Sequence, residues 1–152
     1  MEFGKTPDSK LKLNGSSGQV TFAWHLDKVT DSHGNYMLYL YNNNSSTNEI
    51  SIKEIQYTGN NDPSLNIAPY NSVKFYYDIR PDKRDGYMLG NHLQRTLILR
   101  EIEVDCEGNF TKGYKFNYGY DSQDPYHPQT LDRKSTRLNS SHIQKSRMPS
   151  SA

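Results

Sequence analysis

Phe22-Ala-Trp-His-Leu-Asp-Lys-Val-Thr-Asp-Ser-His-Gly-Asn-Tyr-Met-Leu-Tyr-Leu-Tyr41 places runs of β-forming residues on both sides of Asp31-Ser-His-Gly-Asn-Tyr36. The loop pattern, Asp-x-x-Gly-Asn-aromatic, recurs at Asp105-Cys-Glu-Gly-Asn-Phe110, again between two such runs. Both read as the loops of β-hairpins. Asp31 and Asp105 can accept hydrogen bonds from backbone N–H groups two or three residues on. Gly34 and Gly108 supply the positive φ that a short hairpin loop needs. Asn35 and Asn109 lead back into a strand, where the aromatic residue that follows packs across the ladder. A calcium loop is the competing reading. It fails because the spaced acidic ligands and the closing glutamate are missing, and position 42 is Asn.

Working outward, the chain reads as strands. Val20, Phe22, Trp24 and Leu26 alternate with Thr21, Ala23 and His25. Tyr36 to Tyr41 is apolar on both faces, as expected of a strand covered on both sides or set in a curved shell. Asn42 to Asn48 is a polar loop. Ile50 and Ile52 fall on one face and Ile55 and Tyr57 on the other, which predicts a bulge near Lys53 or Glu54. Thr58 to Pro69 is a loop. Val73, Phe75, Tyr77 and Ile79 alternate, and Arg80 to Gly86 is a charged turn holding Pro81. Arg95 to Cys106 is a long strand, and Tyr114, Phe116, Tyr118 and Tyr120 line one face of the last. The fold class expected is all-β, an antiparallel meander of hairpins forming an open sandwich or curved sheet. The expected core is Phe22, Trp24, Phe75, Tyr77, Ile102, Val104, Tyr114 and Phe116.

The end of the chain has a different character. Residues 132–152 hold six Ser, no Gly and none of the 18 aromatic residues. Asp132 to His142 is the translation of a common sequencing-library adapter, and Ser146 to Ala152 fits the adapter's downstream part. We therefore expect a β domain over 1–131, itself a fragment, and a non-native, disordered tail over 132–152. Without the tail the chain has 13 basic and 16 acidic residues, a net charge of −3 in place of +1. Arg133, Lys134 and Arg137 then carry no message about nucleic acid. No apolar run approaches membrane-spanning length. The single cysteine, Cys106, lies in the second loop and reads as a tolerated loop residue.

Taken in order, several stretches carry a resemblance. Phe22 to Asp31, Gly34-Asn-Tyr36 and Tyr39-Leu-Tyr41 resemble the Trp-containing hairpin of SpvB-type domains. Such domains occur in B components of insecticidal toxin complexes and in RHS/YD-repeat proteins. Glu54-Ile-Gln-Tyr-Thr-Gly-Asn60 is similar to the strand that follows there. Phe75-Tyr-Tyr-Asp-Ile-Arg-Pro-Asp82 resembles the next strand and its Arg-Pro-Asp turn. Leu99 to Val104, Gly108, and Tyr114 to Asp121 resemble the closing hairpin, while Gly4, Asp8 and Ser9 fit the strand start upstream. The resemblance implies a non-enzymatic scaffold segment of a large, secreted or cell-surface bacterial protein. Its β shell would carry or deliver a C-terminal effector. The implied partners are the remainder of the polypeptide, with propeller-like and YD repeats, and other toxin-complex components. Neither nucleic acid nor a membrane span is implied.

Two other stretches offer different functions. Glu101-Ile-Glu103 is a Glu-x-Glu pair such as ADP-ribosyltransferases need, with both carboxylates on one strand face. The reaction also needs an Arg and a Ser-Thr-Ser strand, and Ser45-Ser-Thr47 lies in an Asn-rich loop. The alternation with Ile102 and Val104 reads as an ordinary solvent face. The row Tyr114, Phe116, Tyr118 and Tyr120 would suit a stand-alone glycan- or protein-binding, adhesin-like module if the rings face solvent, although alternating aromatic residues more often pack. His25, His33, His92 and His127 have no metal-ligand spacing. No catalytic residue, metal site or cofactor is expected.

Overall fold

The computed structural model describes residues 1–118 and the backbone of Arg137–Asn139. The fold is all-β and antiparallel, and contains no helix among the described residues. One large sheet holds β1 (Glu2–Phe3), β4 (Leu26–Thr30), β5 (Asn35–Asn44), β6 (Glu49–Asn60), β7 (Asn71–Met88), β8 (Asn91–Cys106) and β9 (Asn109–Asn117), in that spatial order. From β4 onward it is a plain meander. A separate hairpin, β2 (Lys10–Gly15) with β3 (Gly18–Trp24), interrupts it between β1 and β4. The sheet stays open. The backbone of β10 (Arg137–Asn139) lies antiparallel to the outer edge of β9, and the rest of the tail expectation, with Tyr120 and His127, falls outside the described residues.

The hairpin covers only one end of the sheet. Lys10 O accepts Asn43 Nδ2 at 2.8 Å, and the Asp8 carboxylate accepts the Tyr41 N–H at 3.0 Å. Leu11 and Leu13 alternate with lysines on β2 and are the buried apolar side chains of this layer, Leu13 at 1% exposure. Along β5, away from this contact, Tyr36 to Leu40 are half-buried without exception.

None of the eight expected core residues is fully buried, and two of them are exposed. Phe22 is 41% and Trp24 58% exposed. Leu11 pairs with Ala23 and Lys12 with Thr21, so Phe22 is the extra residue of a bulge. The strand then breaks at His25, whose N–H goes to Ser9 O and whose carbonyl accepts Gly4 N–H. Alternation therefore does not run through to Leu26, which belongs to the other sheet. Phe75, Tyr77, Ile102, Val104, Tyr114 and Phe116 are half-buried.

The predicted bulge is present: Leu40 pairs with Glu54 and Tyr41 with Ile52, leaving Lys53 unpaired. The charged turn at Arg80 to Gly86 is not a turn. Strand β7 continues to Met88, and three extra residues bulge between the pairs Ile79–Leu97 and Arg84–Arg95. Pro81 sits in that bulge, where its missing N–H breaks no ladder bond. The chain reverses later, at Leu89–Gly90.

Candidate functional site

The two echoing loops fold differently. In the first, Asp31 Oδ1 accepts the N–H groups of His33 (2.8 Å) and Asn35 (2.9 Å), and Asn35 Nδ2 donates to Asp31 Oδ2 at 2.8 Å. The side-chain bond from Asn35 leads the interactions that hold the Asp31 carboxyl below its usual pKa. Gly34 has φ 80°. The loop is tied to the β6–β7 connection: Asn61 N–H donates to Gly34 O, and buried Asn60 donates from Nδ2 to Asn35 Oδ1 at 2.9 Å. Tyr36 lies opposite Gly59 with its ring over it, since a Cβ there would meet Tyr36 Cζ at 2.6 Å.

The second loop has only two residues, Glu107 and Gly108, both at positive φ (52° and 76°), closed by the pair Cys106–Asn109. This is a type I′ loop. Asp105 has therefore already entered the ladder and cannot cap the turn. It lies buried and accepts Lys74 Nζ at 2.6 Å, a bond that leads the upward shift of the Lys74 pKa. The shared sequence pattern thus serves two geometries, and the expected capping role holds for Asp31 alone.

Glu101 and Glu103 point into rows of cross-strand partners. Glu101 stands between Tyr76 and Lys115, whose Nζ is 3.6 Å away, and Arg100 Nη2 is at 3.9 Å. Glu103 stands between Lys74 and Gly113, and its hydrogen bond with the Tyr76 hydroxyl leads the upward shift of that phenol. Ser45 to Thr47 form the β5–β6 turn.

The aromatic row on β9 is no flat exposed strip. Tyr114, Phe116 and Tyr118 are half-buried; Lys112 Nζ lies 4.8 Å over the Tyr114 ring, and the Tyr118 hydroxyl donates to Leu99 O at 2.6 Å. His25, His33 and His92 are dispersed, and no group of three His, Cys, Asp or Glu residues could hold a metal among the described residues.

Two polar devices escaped the sequence reading. In the β7 bulge, Arg80 and Asp82 are both buried and joined bidentately, Nε to Oδ1 at 3.0 Å and Nη2 to Oδ2 at 2.8 Å. That pairing holds the Asp82 carboxyl below its usual range. The Arg-Pro-Asp string was the signal. At the N-terminal end, buried Asp27 accepts the N–H groups of Lys5 and Thr6 and the Thr6 hydroxyl. Burial pushes its carboxyl up, but bonds from Thr6, Ser9 and Lys5 together outweigh that and leave it lowered. Nothing in the spacing of Asp27 and Thr6 announces this contact.

Two grooves open on the sheet, one of about 560 Å³ (Val29, Met37, Tyr57, Ile67 and Tyr70 among its walls) and one of about 500 Å³ (Lys53, Phe75, Tyr77 and Leu97 among its walls). The second groove also has Glu54, Lys74 and Tyr76 in its walls, with Lys74 bonded to Asp105 and the Tyr76 hydroxyl to Glu103.

No protein-family model matches the chain, and no curated protein matches it. Solved structures do. The N-terminal domain of effector protein SpvB from Salmonella typhimurium strain LT2 has a TM-score of 0.61 at 12% identity, over 91% of this chain and 57% of that one. The crystal structure of TcdB2-TccC3-TEV has a TM-score of 0.61 at 13% identity, over 85% of this chain and 8% of that one. The Tc holotoxin pore of Photorhabdus luminescens has a TM-score of 0.58 at 14% identity, over 85% and 8%. At these identities the likeness is one of fold, and the chain spans a small part of the toxin chains it matches.

Proposed function

We propose that residues 1–131 are a non-enzymatic scaffold segment of a larger exported, toxin-like polypeptide. One observation carries this reading: the fold is similar to the SpvB N-terminal domain and to Tc toxin structures, at TM-scores of 0.58 to 0.61. The distribution of burial supports it. A fold whose buried apolar side chains are confined to Leu11 and Leu13 among the described residues suits a wall that other segments complete, better than it suits a self-contained domain. The polar groups support it too, since Asp27, Arg80, Asp82 and Asp105 are spent on internal bonds. Partners would be the following repeats of the same polypeptide and other toxin-complex components, with the assembly secreted or displayed by a bacterium.

The test is the reading frame itself. Sequencing the source DNA beyond the codon for Leu131 should reveal FG-GAP-like or YD repeats. A stop codon within a few residues would overturn the scaffold reading.

A further inference from the structure

Glu107-Gly-Asn-Phe-Thr111 closes the β8–β9 hairpin and holds an Asn-x-Thr sequon with an acid two residues before the Asn. Cys106 to Lys112 are exposed without exception. A Cβ at Gly108 would meet nothing within 4 Å, so no neighbour crowds the loop there. The strand behind it is loosely held. Val104 pairs with Lys112 and Asp105 with Phe110, which leaves Thr111 as the unpaired residue of a bulge. From Asn109 to Tyr114 no strand lies on the outer side of β9 among the described residues. The polar groups of the sequon are lightly engaged. Asn109 Nδ2 donates to Glu107 O at 3.2 Å, and Thr111 Oγ1 donates to Asn109 O at 3.4 Å. The Glu107 carboxylate enters none of the ion pairs among the described residues. Three Asn-x-Ser strings elsewhere in the described residues are differently placed. Asn14 has its N–H and its carbonyl clamped by Asn91, at 3.1 and 2.8 Å. Asn43 spends Nδ2 on Lys10 O at 2.8 Å. Asn44 Oδ1 accepts both the N–H and the hydroxyl of Ser46, at 3.0 and 2.7 Å. Two residues before these three stand Lys12, Tyr41 and Asn42, none of them acidic.

We propose that Asn109 is an acceptor for N-linked glycan transfer from a polyprenyl-diphosphate oligosaccharide, by a transferase that reads the Glu107 carboxylate. In the transfer, Asn109 Nδ2 forms a bond to C1 of the first sugar. The bond from C1 to the diphosphate oxygen breaks, and polyprenyl diphosphate leaves with the electron pair. Nδ2 gives one of its two protons to a base of the transferase, and the N–H that remains can still donate to Glu107 O. The Thr111 hydroxyl is the group by which the sequon is gripped, and a cation of the transferase meets Glu107. The bulge and the open edge let this segment bend toward the transferase with few ladder bonds to break. The product is a bulky, solvated group at the start of the open β9 edge, where it hinders addition of a strand from another copy. The inference rests on the reading of the chain as part of an exported polypeptide, because such transfer takes place outside the cytoplasm.

The experiment produces the full 152-residue chain, with a secretion leader, in a bacterial host that makes an undecaprenyl-diphosphate oligosaccharide and a periplasmic oligosaccharyltransferase. Peptide mass spectrometry then locates the glycan. Because the leader supplies export, failure here is separate from failure of the scaffold reading, which the source DNA decides. The parent should carry one glycan, at Asn109. Asn109→Gln and Thr111→Ala should carry none there, and Thr111→Ser should keep it. Glu107→Gln should lower occupancy about tenfold, the loss of one hydrogen bond to a charged group. Unfolding exposes a sequon and raises transfer, so a loss in any variant reports recognition and not a failure to fold. A parent without glycan at Asn109 would overturn the proposal. So would a glycan on Asn14, Asn43 or Asn44 in its place, or full occupancy in Glu107→Gln.

Discussion

A methyl group at Gly4 would lie 2.2 Å from Trp24 Cδ1 and 3.2 Å from Trp24 Cβ, and Gly4 has φ +58°. The indole, exposed on its outer side, is thus the lid over a glycine backbone. Gly4→Ala meets both a backbone penalty and a clash, and should lower stability by about 2 kcal/mol or more, read from chemical denaturation. Trp24→Ala relieves the clash without the backbone strain, so the double variant should recover part of the loss. Asp27 works at the same scale with a different currency, the proton. The carboxyls of Asp8, Asp27 and Asp82 all have lowered pKa values in the fold. As pH falls, the unfolded chain takes up protons first, near the ordinary value of 3.8, and the folded state is disfavoured. Stability should therefore be flat from neutral pH to about 4 to 5. It should then drop as pH passes through the lowered folded values. Asp27→Asn should shallow that acid limb and lower stability at pH 7 by about 1–3 kcal/mol. An unchanged acid limb in this variant would remove Asp27 from the account.

The hairpin loops show what a string of letters does and does not specify. Both loops need their glycine, yet a Cβ at Gly34 would meet Asn61 Oδ1 at 2.8 Å and Asn60 Oδ1 at 3.2 Å, whereas one at Gly108 meets nothing within 4 Å. Gly108→Ala should cost about 1 kcal/mol, from positive φ alone. Gly34→Ala should cost about twice that, because it also disturbs the contact with the β6–β7 connection. Thermal melts of the two variants would settle the order, and a larger loss at Gly108 would contradict this account. The sequence made the existence of both hairpins legible, since Gly between β-forming runs has a local cause. It made the Lys53 bulge legible too, because Ile52 and Ile55 change face. The layer to which an element belongs was hidden. Phe22 and Trp24 alternate as core residues would, but alternation names a face and not what covers it. Lys10-Leu-Lys-Leu13, too short to command notice, supplies the buried pair. The turn at Leu89–Gly90 was hidden for a further reason: Leu is the wrong residue for it, and the Arg-Pro-Asp string upstream looked like the better turn.

At the scale of the molecule the open question is the outer edge of β9. Arg137–Asn139 pairs with Asn117, Phe116 and Lys115, while Asn109 to Tyr114 have no strand on their outer side among the described residues. A three-residue strand offers two or three backbone hydrogen bonds, each contributing about 1 kcal/mol net. Fixing each residue costs roughly 1–2 kcal/mol of backbone entropy, so the pairing at best breaks even. Deleting residues 132–152 should therefore leave the midpoint of thermal unfolding within about 2 °C of the parent. Amide exchange at Lys115 to Asn117 should rise only locally. The same deletion lowers the formal charge from +1 to −3, which shifts the isoelectric point without touching the sheet. Cooperative loss of structure across β7, β8 and β9 on deletion would show the reverse: that the tail closes the edge of the sheet, and that an adapter-derived origin for it is wrong. An unchanged melt with slow self-association would instead locate the unmet pairing at Asn109 to Tyr114, since an open edge invites a strand from another copy.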